Sequence, residues 1–275
     1  MSVAAGLPGP NDLPLERLAR SLGAGAVAGG VAGVLVGGVG GRLAMRISGA
    51  MTDPGLQGVA RTENGNIVGQ VTLDGTVGLV FFGGLFIGVL AGVMFAAARP
   101  WLMPLGRWDG LAFGLLILAS VGSVTVLEPD NFDFRRFGSP QLNVIMFAAL
   151  FPLFGVALAA ALRVLEARAE QGGIVAAVAW LGLIPASLLV AIFVLIGAIQ
   201  ALTGEETAGD PRQYVLVYWL VVALASRVAI GRGRVFERAS DLSRGQLLVT
   251  YGMLLIPIAV GLPDLVGAVA TLARP

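Results

Sequence analysis

The chain has 275 residues, of which 56% are hydrophobic and 13% charged, with a formal net charge of +1 and a mean hydropathy of +0.86. A soluble domain carries about 25% charged residues, so this surface is built to face lipid, and the near-neutral balance excludes the strongly basic stripe of a nucleic-acid binder. Cys, His and Lys are all absent, which removes disulfides, thiolate or imidazole metal sites, Ser-His triads and lysine Schiff bases.

The first twenty residues, rich in Pro, Asn and Asp, read as a cytoplasmic N-terminal segment without the cleavage site of a signal peptide. Within it, Leu13 to Arg20 is predicted to form a short interfacial helix capped by Asp12. The remainder, 21–275, reads as one polytopic membrane domain. A crossing needs about 20 mainly apolar residues, and seven candidates follow in order: 21–41, 76–98, 110–127, 141–162, 173–202, 213–230 and 246–272. Pro185 in the fifth, and Pro257 and Pro263 in the seventh, should tilt or kink those helices.

Glycine spacing is the most specific pattern. Gly25, Gly29, Gly33, Gly37 and Gly41 recur every four residues in the first span, and Gly84, Gly88 and Gly92 do so in the second. Such a stripe has no side chains, so a second helix backbone can approach it closely, as in a glycine zipper. Packing within the chain, a sliding surface and an oligomer contact all fit the pattern. Arg42 and Arg46 follow at i, i+4 spacing on one helix face. They either snorkel to headgroups, pair with acids, or clamp a phosphate or carboxylate.

Between the first two spans, Glu63-Asn64-Gly65-Asn66 supplies a tight-turn pair flanked by β-formers, predicting a small hairpin on the outer face. The segment joining spans three and four carries Glu128, Asp130 and Asp133, which read as a solvated acidic loop or as oxygen ligands for Mg²⁺ or Ca²⁺. Its three phenylalanines, Phe132, Phe134 and Phe137, are expected to dip into the interface. Glu205, Glu206 and Asp210 form a second outer acidic loop. Asp264, near the outer end of the last span, should have a partner at that depth, and Arg42 or Arg46 is the candidate. Trp101, Trp108, Tyr214, Tyr218 and Trp219 fit aromatic belts.

With the N-terminus inside, the cytoplasmic segments hold eleven Arg against seven on the other side, which sets the orientation and places the C-terminus outside. The loop from Arg227 to Arg244 carries most of that bias and also suits anionic inner-leaflet lipid. Spans two and four share Phe82, Leu85, Phe86 and Arg99 against Phe147, Leu150, Phe151 and Arg163, a pattern that repeated helical hairpins would produce.

The stretches Gly41-Arg42-Leu43-Ala44-Met45-Arg46, Glu63-Asn64-Gly65-Asn66-Ile67-Val68-Gly69 and Asp130-Asn131-Phe132-Asp133-Phe134 together resemble a group of uncharacterised multi-pass membrane proteins from GC-rich bacteria. The resemblance spans helices one to four and implies class and topology, with no activity or cofactor to carry over.

The expected fold is therefore an all-α transmembrane bundle of about seven helices with a small extracytoplasmic β-hairpin. The expected place is the bacterial cytoplasmic membrane, and the first partner is the lipid bilayer. The leading functional expectation is binding or transport of a small anionic solute or lipid near the outer leaflet, at Arg42, Arg46 and Asp264. Two alternatives stand beside it. One is an enzyme acting on a phosphorylated lipid with metal on Glu128, Asp130 and Asp133. The other is a structural protein that meets a membrane partner or its own copy through the glycine stripes.

Overall fold

The computed structural model describes residues 14–169 apart from 64, 69 and 71, then residues 174–203, 215–229 and 243–272. Among these the chain is helical, and no strand is formed. The helices are α1 (Pro14–Ala32), α2 (Gly41–Ala50), α3 (Leu73–Gly78), α4 (Ile87–Leu102), α5 (Asp109–Thr125), α6 (Phe132–Arg136), α7 (Pro140–Ala169), α8 (Ile174–Leu181), α9 (Leu183–Thr203), α10 (Val215–Ala229) and α11 (Arg244–Leu272). Two wider π-helical segments, Gly33–Gly40 and Leu79–Phe86, join α1 to α2 and α3 to α4 without a break.

Among the described residues, four helical stretches are long and apolar enough to cross a membrane: Glu16–Ala50, Leu73–Thr125, Pro140–Arg168 and Leu255–Leu272. The first has 35 residues, about 50 Å at 1.5 Å per residue, against a hydrocarbon core of about 30 Å. It therefore absorbs the expected interfacial helix at its start and carries Arg42 and Arg46 beyond the predicted end at residue 41. Asp12, the expected cap, lies outside the described residues.

The second stretch, of 53 residues, is folded back on itself. Gly106 has φ 57° and ψ −120°, a conformation open to glycine and closed to side-chain-bearing residues. Phe95 and Phe113, on either side of it, meet with ring centroids 5.0 Å apart. Eighteen residues of unbroken helix would hold them about 27 Å apart, so α4 and α5 run antiparallel.

Close backbone approach organises the bundle. Gly25 faces Gly92, Gly29 faces Gly88 and Gly33 faces Gly84, four residues up one helix for four down the other. A Cβ built on Gly25 would lie 2.5 Å from the Gly92 carbonyl oxygen, one on Gly29 2.7 Å from the Gly92 Cα, and one on Gly33 2.9 Å from the Gly88 Cα. Gly37 is less tight, 3.0 Å from the Gly83 oxygen, and at Gly41 the nearest atom is a leucine methyl at 3.5 Å. A second antiparallel contact pairs α5 with α7. A Cβ on Gly110 would meet the Ala159 methyl at 2.6 Å, and one on Gly114 would meet the Pro152 Cα at 2.7 Å. Around these contacts lies a core of Met94, Phe95, Phe113, Leu158 and Leu162, all nearly inaccessible.

The loops of the two helical hairpins close at the same end and are tied together. Ser48 donates to the Phe137 carbonyl at 3.3 Å, the Gly138 amide donates to Thr52 Oγ1 at 3.0 Å, and buried Asn143 donates to the Phe137 carbonyl at 2.8 Å. This end holds Arg42; the opposite one holds the Gly106 turn and Arg227.

Several expectations are corrected. The outer hairpin reduces to one isolated antiparallel bridge between Arg61 and Ile67, because turns at 54–59 and at Val68 leave too little extended chain for a ladder. Phe134 and Phe137 face the protein rather than the interface: both are buried, and Phe134 lies 4.9 Å from Phe147. Trp101 and Trp219 are core residues rather than belt residues, and Tyr214 lies outside the described residues.

Candidate functional site

At the loop end, the cap of α3 positions Arg42. Thr72 begins that helix by accepting the Gly75 amide at 3.3 Å, and its hydroxyl donates to Asn66 Oδ1 at 2.9 Å. One turn on, Thr76 donates to the Thr72 carbonyl at 2.7 Å. Arg42 reaches across from α2 to this pair. Its Nε and Nη2 donate to Thr76 Oγ1 at 3.1 and 2.8 Å, and Nη2 also donates to the Thr72 carbonyl at 3.0 Å. The planar guanidinium is thus fixed along one edge, while Nη1 lies 3.9 Å from the Met45 sulfur on the exposed side. Arg46, one turn further, is exposed, as are its neighbours Leu43, Ile47 and Met51.

Asp264 is half-buried at the edge of the α11 face that packs on α5, where Leu265 approaches Gly122. Arg42 is bound to Thr72 and Thr76 rather than to Asp264, so of the two expected partners Arg42 is engaged elsewhere. The reason is that α2 packs on the first π segment and α7, whereas α11 packs chiefly on α5.

Glu128, Asp130 and Asp133 do not converge. Among the described residues no group of three acidic side chains is placed to hold a metal. Glu128 is exposed, and Asp130 lies 3.8 Å from Arg135. Asp133 accepts the Glu63 amide at 3.0 Å, tying α6 to the 51–72 segment. Burial pushes the Asp133 carboxyl above the ordinary aspartate range. The Glu63 amide opposes that shift, and the Glu63 charge adds to it. Glu205, Glu206 and Asp210 lie outside the described residues.

The glycine stripes are spent inside the molecule, Gly25, Gly29 and Gly33 against Gly84, Gly88 and Gly92. They are closed to a partner.

The opposite end holds a charged layer that sequence reading missed. Arg99 on α4 pairs with Glu166 on α7, and Arg163 on α7 pairs with Asp109 at the start of α5. Arg227 on α10 is 6% exposed and donates to the Ala96 carbonyl at 3.3 Å. That carbonyl is available because Pro100, four residues on within α4, has no N–H to offer it. A proline inside an apolar helix frees a carbonyl that needs another donor, so the signal was present in the sequence as Pro100 within one apolar helix and Arg227 in the last turn of another.

The described charges divide unevenly between the ends. The loop end has five Arg (42, 46, 61, 135, 136) and seven acids (Asp53, Glu63, Asp74, Glu128, Asp130, Asp133, Asp264). The turn end has eight Arg (17, 20, 99, 107, 163, 168, 227, 244) and three acids (Glu16, Asp109, Glu166). Compared with protein-family models, curated proteins and solved structures, the chain matches none of them.

Proposed function

We propose that this is a seven-crossing membrane protein that holds the phosphate of a lipid at its outer-leaflet end, through Arg46 with Arg42 as its oriented neighbour. The observation that carries the reading is the guanidinium of Arg42, fixed by Thr72 and Thr76 one turn from an exposed Arg46 set among lipid-facing apolar side chains. A fixed guanidinium edge matches phosphate geometry and loses little entropy on binding.

The charge division favours a lipid over a free anion. Seven acids against five Arg give the loop end no net field that would gather anions from solution, and beyond about 8 Å exposed charges are screened. A lipid arrives through the bilayer instead and meets Arg46 at its own depth. The same division supports an orientation in the bacterial cytoplasmic membrane with the Arg-rich turn end and the N-terminus inside. Seven crossings follow from counting the folded-back 53-residue stretch as two and adding α7, the first helix, α8 with α9, α10 and α11. The resemblance to uncharacterised multi-pass proteins of GC-rich bacteria fits this reading.

The test is native mass spectrometry of protein extracted with its lipids, comparing wild type with Arg46→Gln and Arg42→Gln. Loss of a phospholipid adduct from both variants, at unchanged thermal stability of Arg46→Gln, supports the proposal. An unchanged adduct in both overturns it. A wild-type adduct that soluble phosphate displaces identifies a free anion as the occupant instead.

A further inference from the structure

The turn between α4 and α5 lies at the other end and has no part in the outer-leaflet reading. Residues 103–108 are all exposed, and three of the six are large and apolar: Met103 at 48%, Leu105 at 46% and Trp108 at 55%. Water is a poor home for three such side chains on so short a turn. The turn is also rigid, with Pro104 in its first residues and Gly106 at φ 57°. Arg107 stacks its guanidinium 5.0 Å from the Trp108 ring centroid and makes no ion pair among the described residues.

The nearest acid in sequence, Asp109, is already engaged. It is 6% exposed, accepts the Gly110 amide at 2.7 Å and pairs with Arg163. Glu166 is likewise engaged by Arg99. Among the described residues, α4, α5, α7 and α10 together with the turn hold Arg99, Arg107, Arg163, Arg168 and Arg227 at this end against Asp109 and Glu166, an excess of positive charge. Arg163 keeps 46% of its side chain exposed while one nitrogen binds Asp109, so donors remain on its open side.

We infer that this turn is a binding surface for an anionic phospholipid of the leaflet it faces. Met103, Leu105 and Trp108 sit at the boundary of headgroup and acyl chain, and Arg107 and Arg163 meet the phosphate and its net negative headgroup. Amphipathic Trp is favoured at that depth, and Arg stacked on its face keeps part of its attraction to the ring while reaching outward. A zwitterionic headgroup brings its own cation and leaves the excess positive charge unanswered. An anionic one neutralises it.

The experiment reconstitutes the full chain in nanodiscs of phosphatidylcholine with a minor share of phosphatidylglycerol. The lipids retained on the protein after release into detergent are then counted by native mass spectrometry. Wild type should retain phosphatidylglycerol above its share in the disc. Arg107→Gln should lower that enrichment about fivefold, the size expected of one Arg at an anionic surface, and Arg135→Gln, half exposed at the loop end, should leave it unchanged. Equal enrichment in wild type and Arg107→Gln overturns the inference, as does an equal loss with Arg135→Gln. A second measurement keeps a single tryptophan at Trp108, the other three being replaced by Phe, and quenches it with brominated lipid. Strong quenching by lipid brominated near the carbonyls places the turn at the headgroup boundary; none at any depth overturns it.

Discussion

The bond from Arg227 to the Ala96 carbonyl can be tested by restoring what Pro100 removes. In Arg227→Met the carbonyl of Ala96 loses its donor inside an apolar core, where an unsatisfied buried acceptor costs about 1–3 kcal/mol. Arg227 also has interactions beyond this bond, so the single variant measures more than the carbonyl. Pro100→Ala supplies an N–H at position 100 that can bond the Ala96 oxygen in ordinary helical fashion, so that oxygen no longer depends on Arg227. The double variant should therefore be less damaged than the two singles predict, with a coupling of about 1–2 kcal/mol, within the range for residues that share a partner. The assay is thermal unfolding in detergent micelles followed by tryptophan fluorescence, run on wild type, both singles and the double. Strict additivity would refute the reasoning, because it would mean that Arg227 stabilises the protein wholly through its other contacts.

Two further outcomes follow from the packing and from the loop that meets α6. Gly33→Leu should lower stability by at least about 1–3 kcal/mol, since even a Cβ there collides with backbone atoms of α4 and the second π segment, whereas Gly41→Ala meets only a leucine methyl at 3.5 Å and should unfold at the wild-type temperature. Asp133→Asn keeps an acceptor for the Glu63 amide and removes a charge that burial and Glu63 both disfavour. The native state binds its proton more tightly than the unfolded chain does, so the protonated carboxyl stabilises the fold below the ordinary aspartate pKa, and that contribution is lost as pH rises through the raised value. The Asn variant should therefore match or exceed wild type at pH 7 and show a flatter stability profile above pH 4 in thermal melts.

How much could be read in advance depended on the range of the interaction. Membrane class and helical architecture follow from composition, which every residue contributes to. The four-residue glycine register indicated close packing, yet it could not say whether the partner was another helix of the same chain. Gly110 and Gly114 carry the same spacing within one span and face Gly155 across α7, a contact overlooked because two glycines make a weaker pattern than five. Depth alone names Arg42 and Arg46 equally as partners for Asp264, and it does not show that Arg42 is held by Thr72 and Thr76. Depth orders residues along the membrane normal, whereas the lateral arrangement of helices decides which side chains touch. Phe134 and Trp101 were placed in the interface for the same reason. Aromatic residues near span ends are enriched at headgroup depth, and the tertiary packing that draws these two inward is invisible to position along the chain.

The antiparallel glycine contact also bears on how the chain enters the membrane. Every atom of the Gly25–Gly92, Gly29–Gly88 and Gly33–Gly84 crossing lies within the first hundred residues. Synthesis proceeds at about 5–20 residues per second, so this first helical pair is complete for roughly ten seconds or more before the last helix leaves the ribosome. Its fit is backbone against backbone, with few rotamers to sort, and it needs no residue made later. The second pair, held by Gly110, Gly114 and Gly155, closes on the same terms some sixty residues afterwards. Nothing in either contact waits on a later helix, so the two pairs can close one after the other in chain order. A bulky side chain at Gly29 or Gly88 would then show itself first in the newborn chain, as slow release into the bilayer, well before any loss of stability in the finished protein could be measured.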